Sequence, residues 1–568
     1  MISLFARDDY AALGLGALLN GERIPYRRIR CLEEHDQPLL IALGADLTPD
    51  ESARIAAQRS LVLNGGPGFA DRVLGAPDAE LDECAAVVPL GEPVWPTDLS
   101  CLAAQVGTVA LRVPRVPLCR ATGPLRGALL ACLMDGREGR ALPAVVQLGS
   151  CLWSSLDLGT AFAHLLTERY AGEPGRARTT ALRAWARGGA EAAYYAAPAR
   201  LRALGERASE YPVDASGWLM IELVKALIAR AAGRLVRIAH WPAGYQSAAV
   251  LTHDLEPRRY AYTDGLVRLL ELVERRGYPS AFGVVANAAA RYMHDAQRAA
   301  LAGHAVFCHG LDHRGEQVWG RERVTRTVRQ ARATLAEQLG RPVAGYRSPR
   351  LDRSPDLDWA LDAAGFSYGS SHPDVDRENL EHYGSGVRLN LPYRPLLEDA
   401  GQWRLSRCLE LPLTAPDCIQ PLFSGDTVAQ LRAAVEQKAA FIRASGGLYV
   451  ALVHAGVFGP HDAAQREAHV DVVAGQLRHP QMWLTTPERV VEWWTAREQL
   501  HLELRGTNVV LAVNDGAGAV TGAVVMVERD GRATPVALPT LAPGETVLVD
   551  GDMADLDEEW RTCSLVSQ

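Results

Sequence analysis

The stretch Ala248-Ala-Val-Leu-Thr-His-Asp-Leu-Glu-Pro257 decides the fold of this 568-residue chain. Ala248 to Leu251 is an apolar run with the length and composition of a buried strand, and it delivers Thr252, His253, Asp254 and Glu256 at its carboxyl end. Asp254 and Glu256 are two apart, so an extended backbone sets both on one face. Two carboxylates on one face can divide the work of metal ligand and general base.

Three later segments repeat the pattern of an apolar run closed by polar or ionisable residues, which is how loops project from the carboxyl ends of parallel barrel strands. In Ala302-Gly-His-Ala-Val-Phe-Cys-His-Gly-Leu-Asp-His313, His309 and His313 are four apart, so a helical turn there would put both imidazoles on one side. In Gly345-Tyr-Arg-Ser-Pro349, Arg347 offers a permanently charged planar fork for a carboxylate. The strand Leu448 to Val453 ends at His454, whose place beside the other clusters suits a general acid.

Order and spacing here resemble the polysaccharide deacetylases with the NodB homology domain, carbohydrate esterase family 4, over roughly residues 243 to 499. The family's TFDDG becomes THDLE at 252–256, its H-[ST]-x-x-H motif aligns with His309 and His313 with Gly310 at the Ser/Thr place, and its R-x-P aligns with Arg347 and Pro349. PSAFGVVAN (279–287), Gly365-Phe-Ser-Tyr368, LELP (409–412) and LVHAG (452–456) fit further strands. The resemblance implies a distorted (β/α) barrel of seven or eight strands. It also implies a divalent metal held by one carboxylate and two His, a water activated on that metal, an Asp base and a His acid.

On that pattern Asp254 is the base, Glu256, His309 and His313 are the ligands, and His454 is the acid, with Arg347 at the catalytic centre. Leu255 replaces the second Asp of the family pair, which leaves Asp254 as the alternative carboxylate ligand and His253 as a further candidate. Asp374, Asp376 or neither orients His454. Mixed N/O ligation suits Zn2+, with Co2+, Ni2+ or Mn2+ compatible.

The reading expects an α/β multidomain chain: an N-terminal Rossmann-like α/β domain (1–172), a helical connector (173–242), the barrel (243–499) and a small C-terminal β-sandwich (500–568). In the first, LLIALG (39–44), a capped helix from Thr48 and SLVLNGGPGF (60–69) alternate strand and helix. The glycines at 65, 66 and 68 read as a structural turn. A GGPG strand end also occurs in class I glutamine amidotransferases, but Cys84 and Cys101 lack the Gly flanks of a nucleophile elbow. In the connector, Trp218 to Ala232 has helical spacing, and in the last segment alternating strands are broken by Asp-Gly pairs at 515/516, 530/531 and 550/551.

A net charge of -8 gives no general attraction to nucleic acid or anionic membranes, and no run of 18 apolar residues suggests a membrane span. The ten cysteines are scattered without a CxxC pair, and Asp8 and Asp9 precede the first apolar run where a signal peptide carries basic charge. The expectation is a cytoplasmic hydrolase removing an acetyl group from an N-acetylated amino sugar or glycan, with homo-oligomerisation left open. The alternatives are a cyclic ureide or imide hydrolase on the same fold, and a non-catalytic carbohydrate-binding protein with a degenerate barrel.

Overall fold

The computed structural model of the chain describes residues 2–44, 47–90, 110–135, 138–167, 215–314, 320–351, 354–373, 389–414, 428–454, 463–505, 509–529 and 532–551. The first nine strands are β1 (Ile2–Ala6), β2 (Tyr26–Ile29), β3 (Leu39–Gly44), β4 (Ser60–Asn64), β5 (Glu80–Pro89), β6 (Ala110–Arg120), β7 (Ala128–Asp135), β8 (Ala141–Leu148) and β9 (Cys151–Ser154). They form one sheet in the order β2-β1-β3-β4-β9-β8-β7-β5-β6.

Half of this sheet follows the expected α/β pattern. Strands β1 to β4 and β9 pair in parallel and are joined through helices, among them Pro49–Ala56, whose Thr48 cap and Glu51 form a reciprocal capping box. Parallel strands covered on both faces should be apolar throughout. Accordingly Ile2, Leu4 and Ala6 enter one core cluster while Phe5, between them, enters another. The other half departs from a Rossmann-like sheet, because β9, β8, β7, β5 and β6 are antiparallel. Their alternation of buried and exposed positions, seen from Cys84 to Pro89, is that of strands with one wet face.

The remaining strands are β10 (Arg234–Ile238), β11 (Ser247–Leu255), β12 (Ser280–Val284), β13 (Ala305–Cys308), β14 (Gly345–Tyr346), β15 (Tyr368–Gly369), β16 (Leu396–Asp399), β17 (Gln402–Leu405), β18 (Leu409–Glu410), β19 (Leu448–Val453), β20 (Met482–Thr485), β21 (Leu500–Arg505), β22 (Val509–Asn514), β23 (Val524–Arg529), β24 (Arg532–Ala537) and β25 (Thr546–Asp550). A parallel, curled sheet runs β18-β15-β14-β13-β12-β11-β19, and β20 pairs with the first half of β11. All nine residues of β11 are buried, as its central place requires. No ladder joins β18 to β19. The Thr414 hydroxyl bridges the gap instead, donating to the Leu448 carbonyl at 3.0 Å and accepting the Val450 N–H at 2.7 Å. One side chain thus supplies the rungs a strand would have made.

The C-terminal strands divide between two three-stranded sheets, β21-β22-β25 and β10-β23-β24. The second borrows β10 from the segment expected to be a helical connector, since the RLVRI pattern pairs antiparallel with β23. Trp218 to Ala232 lies within helix Ser216–Ala232, whereas the connector's residues 173–214 lie outside the described residues, as do Asp530 and Gly531. A single apolar cluster includes Leu15, Trp218, Ile238, Val250, Leu500 and Val525, so these parts share one continuous core. No helix among the described residues is long and apolar enough to cross a membrane. No disulfide links the described cysteines.

Candidate active site

Strand β11 runs past Leu251 to Leu255, so Thr252, His253 and Asp254 lie on the strand itself. Alternation then separates them. His253 stacks on Phe282 at 5.2 Å, with Nε2 3.4 Å from Ser280 Oγ. It therefore sits on the face away from Asp254, and burial pushes its imidazole down to about 3, which keeps it neutral. His253 is not among the groups that meet at the site.

Asp254 faces inward opposite Gly283 on β12. A Cβ at Gly283 would come 2.6 Å from Asp254 Oδ1 and 2.5 Å from the Phe307 ring, so glycine is what leaves room for the carboxylate. Strand β14, which pairs with β13 on the far side of β12, delivers Arg347, whose N–H continues the ladder by donating to the Cys308 carbonyl at 2.8 Å. Arg347 is fully buried, and each of its side-chain nitrogens has a partner. Nη1 donates to Asp254 Oδ1 at 3.0 Å and to Thr252 Oγ1 at 2.8 Å, Nη2 donates to Ser370 Oγ at 2.9 Å, and Nε donates to the Ser370 carbonyl at 2.9 Å. Its guanidinium lies 4.8 Å over the Phe307 ring.

Burial pushes the Asp254 carboxyl up, but Arg347, then His309 and His454, outweigh that and bring it down to about 2. Burial also brings His309 down to about 4, so near neutrality the Arg347 guanidinium, and not His309, is the charge opposite Asp254 Oδ1. Asp254 is thus an anion held by one oxygen. Its other oxygen, Oδ2, lies 3.7 Å from His309 Nε2.

His309 and His313 meet, though not on a helix. The chain after β13 is a loop in which Gly310 (φ 81°) and His313 (φ 57°) take the left-handed conformation, and the ring centroids come within 5.0 Å. The loop is zipped onto the start of an earlier helix, Ala286–Tyr292, by Ala286 N–H to the Gly310 carbonyl and Asn287 N–H to the Leu311 carbonyl. The expected i, i+4 helical turn is replaced because these bonds are better satisfied across the strand ends. His309 Nδ1 lies 3.0 Å from the Arg347 carbonyl, the distance of an Nδ1–H donor, which turns Nε2 toward Asp254.

Glu256 joins the second half of the cluster. Its carboxylate lies 3.4 Å from His313 Nε2 and 3.5 Å from His454 Nε2, at the end of β19. The donors therefore stand as two neighbouring pairs, Asp254 with His309 and Glu256 with His313, linked by the contact of the two imidazoles. Imidazole nitrogens and carboxylate oxygens suit a divalent ion, although among the described residues no three of these groups stand close enough to form a completed metal site. Asp374 and Asp376 lie outside the described residues.

A second buried group beside this cluster was not foreseen. The ring of His372 is held at both nitrogens, by Asp358 Oδ1 at 3.0 Å and by the Tyr393 hydroxyl at 2.9 Å. Glu410, from the LELP segment, accepts the N–H groups of Ser371 and His372 on Oε1 at 2.6 and 2.8 Å. Burial raises its carboxyl to about 7. These four residues come from separate segments with no shared spacing, and only the placement of Glu410 on an apolar strand hinted at them.

A family model described as polysaccharide deacetylase matches residues 225–369, a span that contains Asp254, Glu256, His309, His313 and Arg347. No curated protein matches the chain. Among solved structures, the chain is similar to one assigned to the polysaccharide deacetylases from Mycobacterium smegmatis (21% identity, 47% of this chain and 96% of that one, TM-score 0.37). It is also similar to the PuuE allantoinase (19% identity, 45% and 93%, TM-score 0.36). A third similarity, to the carbohydrate deacetylase Agd3, runs over 97% of this chain and 98% of that one at 11% identity and a TM-score of 0.38. Over residues 225–369 this chain is thus similar to the polysaccharide deacetylase family.

Proposed function

We propose that the chain is a metal-dependent amide hydrolase that removes an acetyl group from an N-acetylated amino sugar or a glycan containing one. The observation that carries this reading is the Asp254 carboxylate, pinned through Oδ1 by buried Arg347 and open through Oδ2 toward the His309, His313, Glu256 and His454 cluster. The family match over residues 225–369, which contain all of these but His454, supports the substrate class.

Glu256, His309 and His313 would hold one divalent ion, with Asp254 as the alternative carboxylate ligand. A divalent ion bound there polarises an acyl oxygen and makes water available as a nucleophile at neutral pH. The chain's own groups do the rest. Asp254, fixed by Arg347, takes the proton of the attacking water, and the Arg347 contact keeps its free oxygen aimed at one place. His309, oriented by the Arg347 carbonyl, presents Nε2 inward. His454, across Glu256, is placed to protonate the departing amine.

Purified protein should contain about one divalent ion per chain and release acetate from a panel of N-acetylhexosamine derivatives. Asp254→Asn should lower kcat by roughly 10²- to 10⁴-fold, the span of general-base catalysis, while keeping the metal. Loss of metal in that variant, with retention in Glu256→Gln, would exchange the roles of the two carboxylates. Ring opening of a cyclic ureide without acetate release from any acetylated sugar would overturn the deacetylase reading.

A further inference from the structure

We infer that Glu410 is a positioning residue for Asp254: by clamping the backbone of Ser371 and His372, it fixes the strand end whose Ser370 seats Arg347 against the Asp254 carboxylate. The inference rests on the proposed function for its kinetic readout and on geometry alone for its structural one.

The connection runs through hydrogen bonds and the one peptide link between Ser370 and Ser371. Glu410 Oε1 receives the N–H groups of Ser371 and His372. The residue just before them, Ser370, accepts Arg347 Nε on its carbonyl and Nη2 on its hydroxyl. Arg347 then spends Nη1 on Asp254 and Thr252. Two of the three nitrogens that orient the guanidinium are therefore held by Ser370, the residue just before the two that Glu410 clamps. Further along, Ser371 Oγ accepts the Ser348 N–H at 3.0 Å, tying the same strand end to the residue after Arg347.

The clamp is itself enclosed. The Glu410 and Tyr393 backbones exchange hydrogen bonds at 2.7 and 3.1 Å, the Tyr393 hydroxyl meets His372 Nδ1, and the His372 N–H returns to Glu410, which closes a ring. Asp358 holds the opposite nitrogen of His372. Gly369 completes the fit, because a Cβ there would come 2.3 Å from Glu410 Oε2. A carboxyl with a neutral Oε2 can still accept both N–H groups on Oε1, and so can the amide oxygen of glutamine. Acceptance, not charge, is what the clamp requires.

The test compares Glu410→Ala, Glu410→Gln and Ser370→Ala with the wild type. Each is assayed for acetate release, metal per chain and the Arg347 Nη1 to Asp254 Oδ1 distance in a crystal structure. Misplacement by about 1 Å can cost on the order of 10²-fold in rate. Glu410→Ala should lower kcat on that scale with KM and metal little changed, and Arg347 should leave hydrogen-bond reach of Asp254. Glu410→Gln should retain both the contact and most of the rate. Ser370→Ala, which leaves the clamp intact and removes one anchor, should lower kcat in the same sense and keeps the test decisive should Glu410→Ala fail to fold. Unchanged kcat in Ser370→Ala, an intact Arg347–Asp254 contact in Glu410→Ala, or equal damage by Gln and Ala would each overturn the inference. A wild type that releases no acetate would count against the proposed function alone, and the crystallographic distance would then decide the role of Glu410.

Discussion

Two strand ends in this molecule look alike in sequence and do opposite things. Strand β4 ends at Asn64-Gly65-Gly66, where three consecutive residues have φ between 67° and 74°. Both Asn64 oxygens are engaged within the N-terminal sheet: Asn64 Oδ1 accepts the Gly66 N–H at 3.0 Å, and the Asn64 carbonyl accepts Trp153 Nε1 at 2.7 Å. Strand β11 also needs a glycine next to its end, at Gly283, but there the space admits a carboxylate and the cation that holds it. Glycines at a strand end mark close approach of backbone or side chain. Ionisable groups from neighbouring strands turn such an end into a site.

The sharpest way to break the comparison is Arg347→Met. It removes the cation from a fully buried pair and leaves Asp254 charged without its partner, which should destabilise the fold by about 3–5 kcal/mol. Chemical denaturation would show it, and a loss under about 1 kcal/mol would mean that water reaches the pair.

A smaller effect should appear with pH at the clamp. Burial raises the Glu410 carboxyl from 4.5 to about 7, with His372 and Asp358 beside it. A raised acid contributes stability that is fully present below its unfolded pKa and is lost as pH rises through the folded one. The wild type should therefore lose about 3 kcal/mol relative to Glu410→Gln between about pH 4.5 and 7. Parallel stability curves for the two proteins would sink this assignment.

Asn64→Ala should show the smallest effect. The buried cap of a tight turn is worth about 1 kcal/mol, so the melting temperature should fall by a few degrees. Turnover should not change, because Asn64 has Gly66 and Trp153 as its hydrogen-bond partners and stands apart from the Asp254 cluster. A loss of acetate release in Asn64→Ala, with folding intact, would show that the two strand ends are coupled after all.

Much of the barrel was legible because a strand has period two and ends abruptly. The apolar run before Asp254, the run before His309 and the run before His454 each announce a buried strand with its reactive residue at the carboxyl end. The His309 and His313 pairing was legible as a pair and illegible as a geometry. Spacing of four suggested a helix, whereas the turn depends on Gly310 at positive φ and on hydrogen bonds to residues 286 and 287. The antiparallel half of the N-terminal sheet was missed for a related reason. Its strands have the same apolar content as parallel ones, and direction is set by which neighbour completes the ladder.

By itself the sequence determined which residues are buried strands, which carry charge at their ends, and in what order these arrive along the chain. Local chemistry is enough for that, since alternation, turn residues and capping act over a few positions. Only the tertiary structure decided that Thr414 bridges β19 and the segment after β18, and that Asp358, His372, Tyr393 and Glu410 enclose one another. Those outcomes depend on hydrogen bonds between segments tens of residues apart. A buried polar group must find such partners, and no local spacing records where they are.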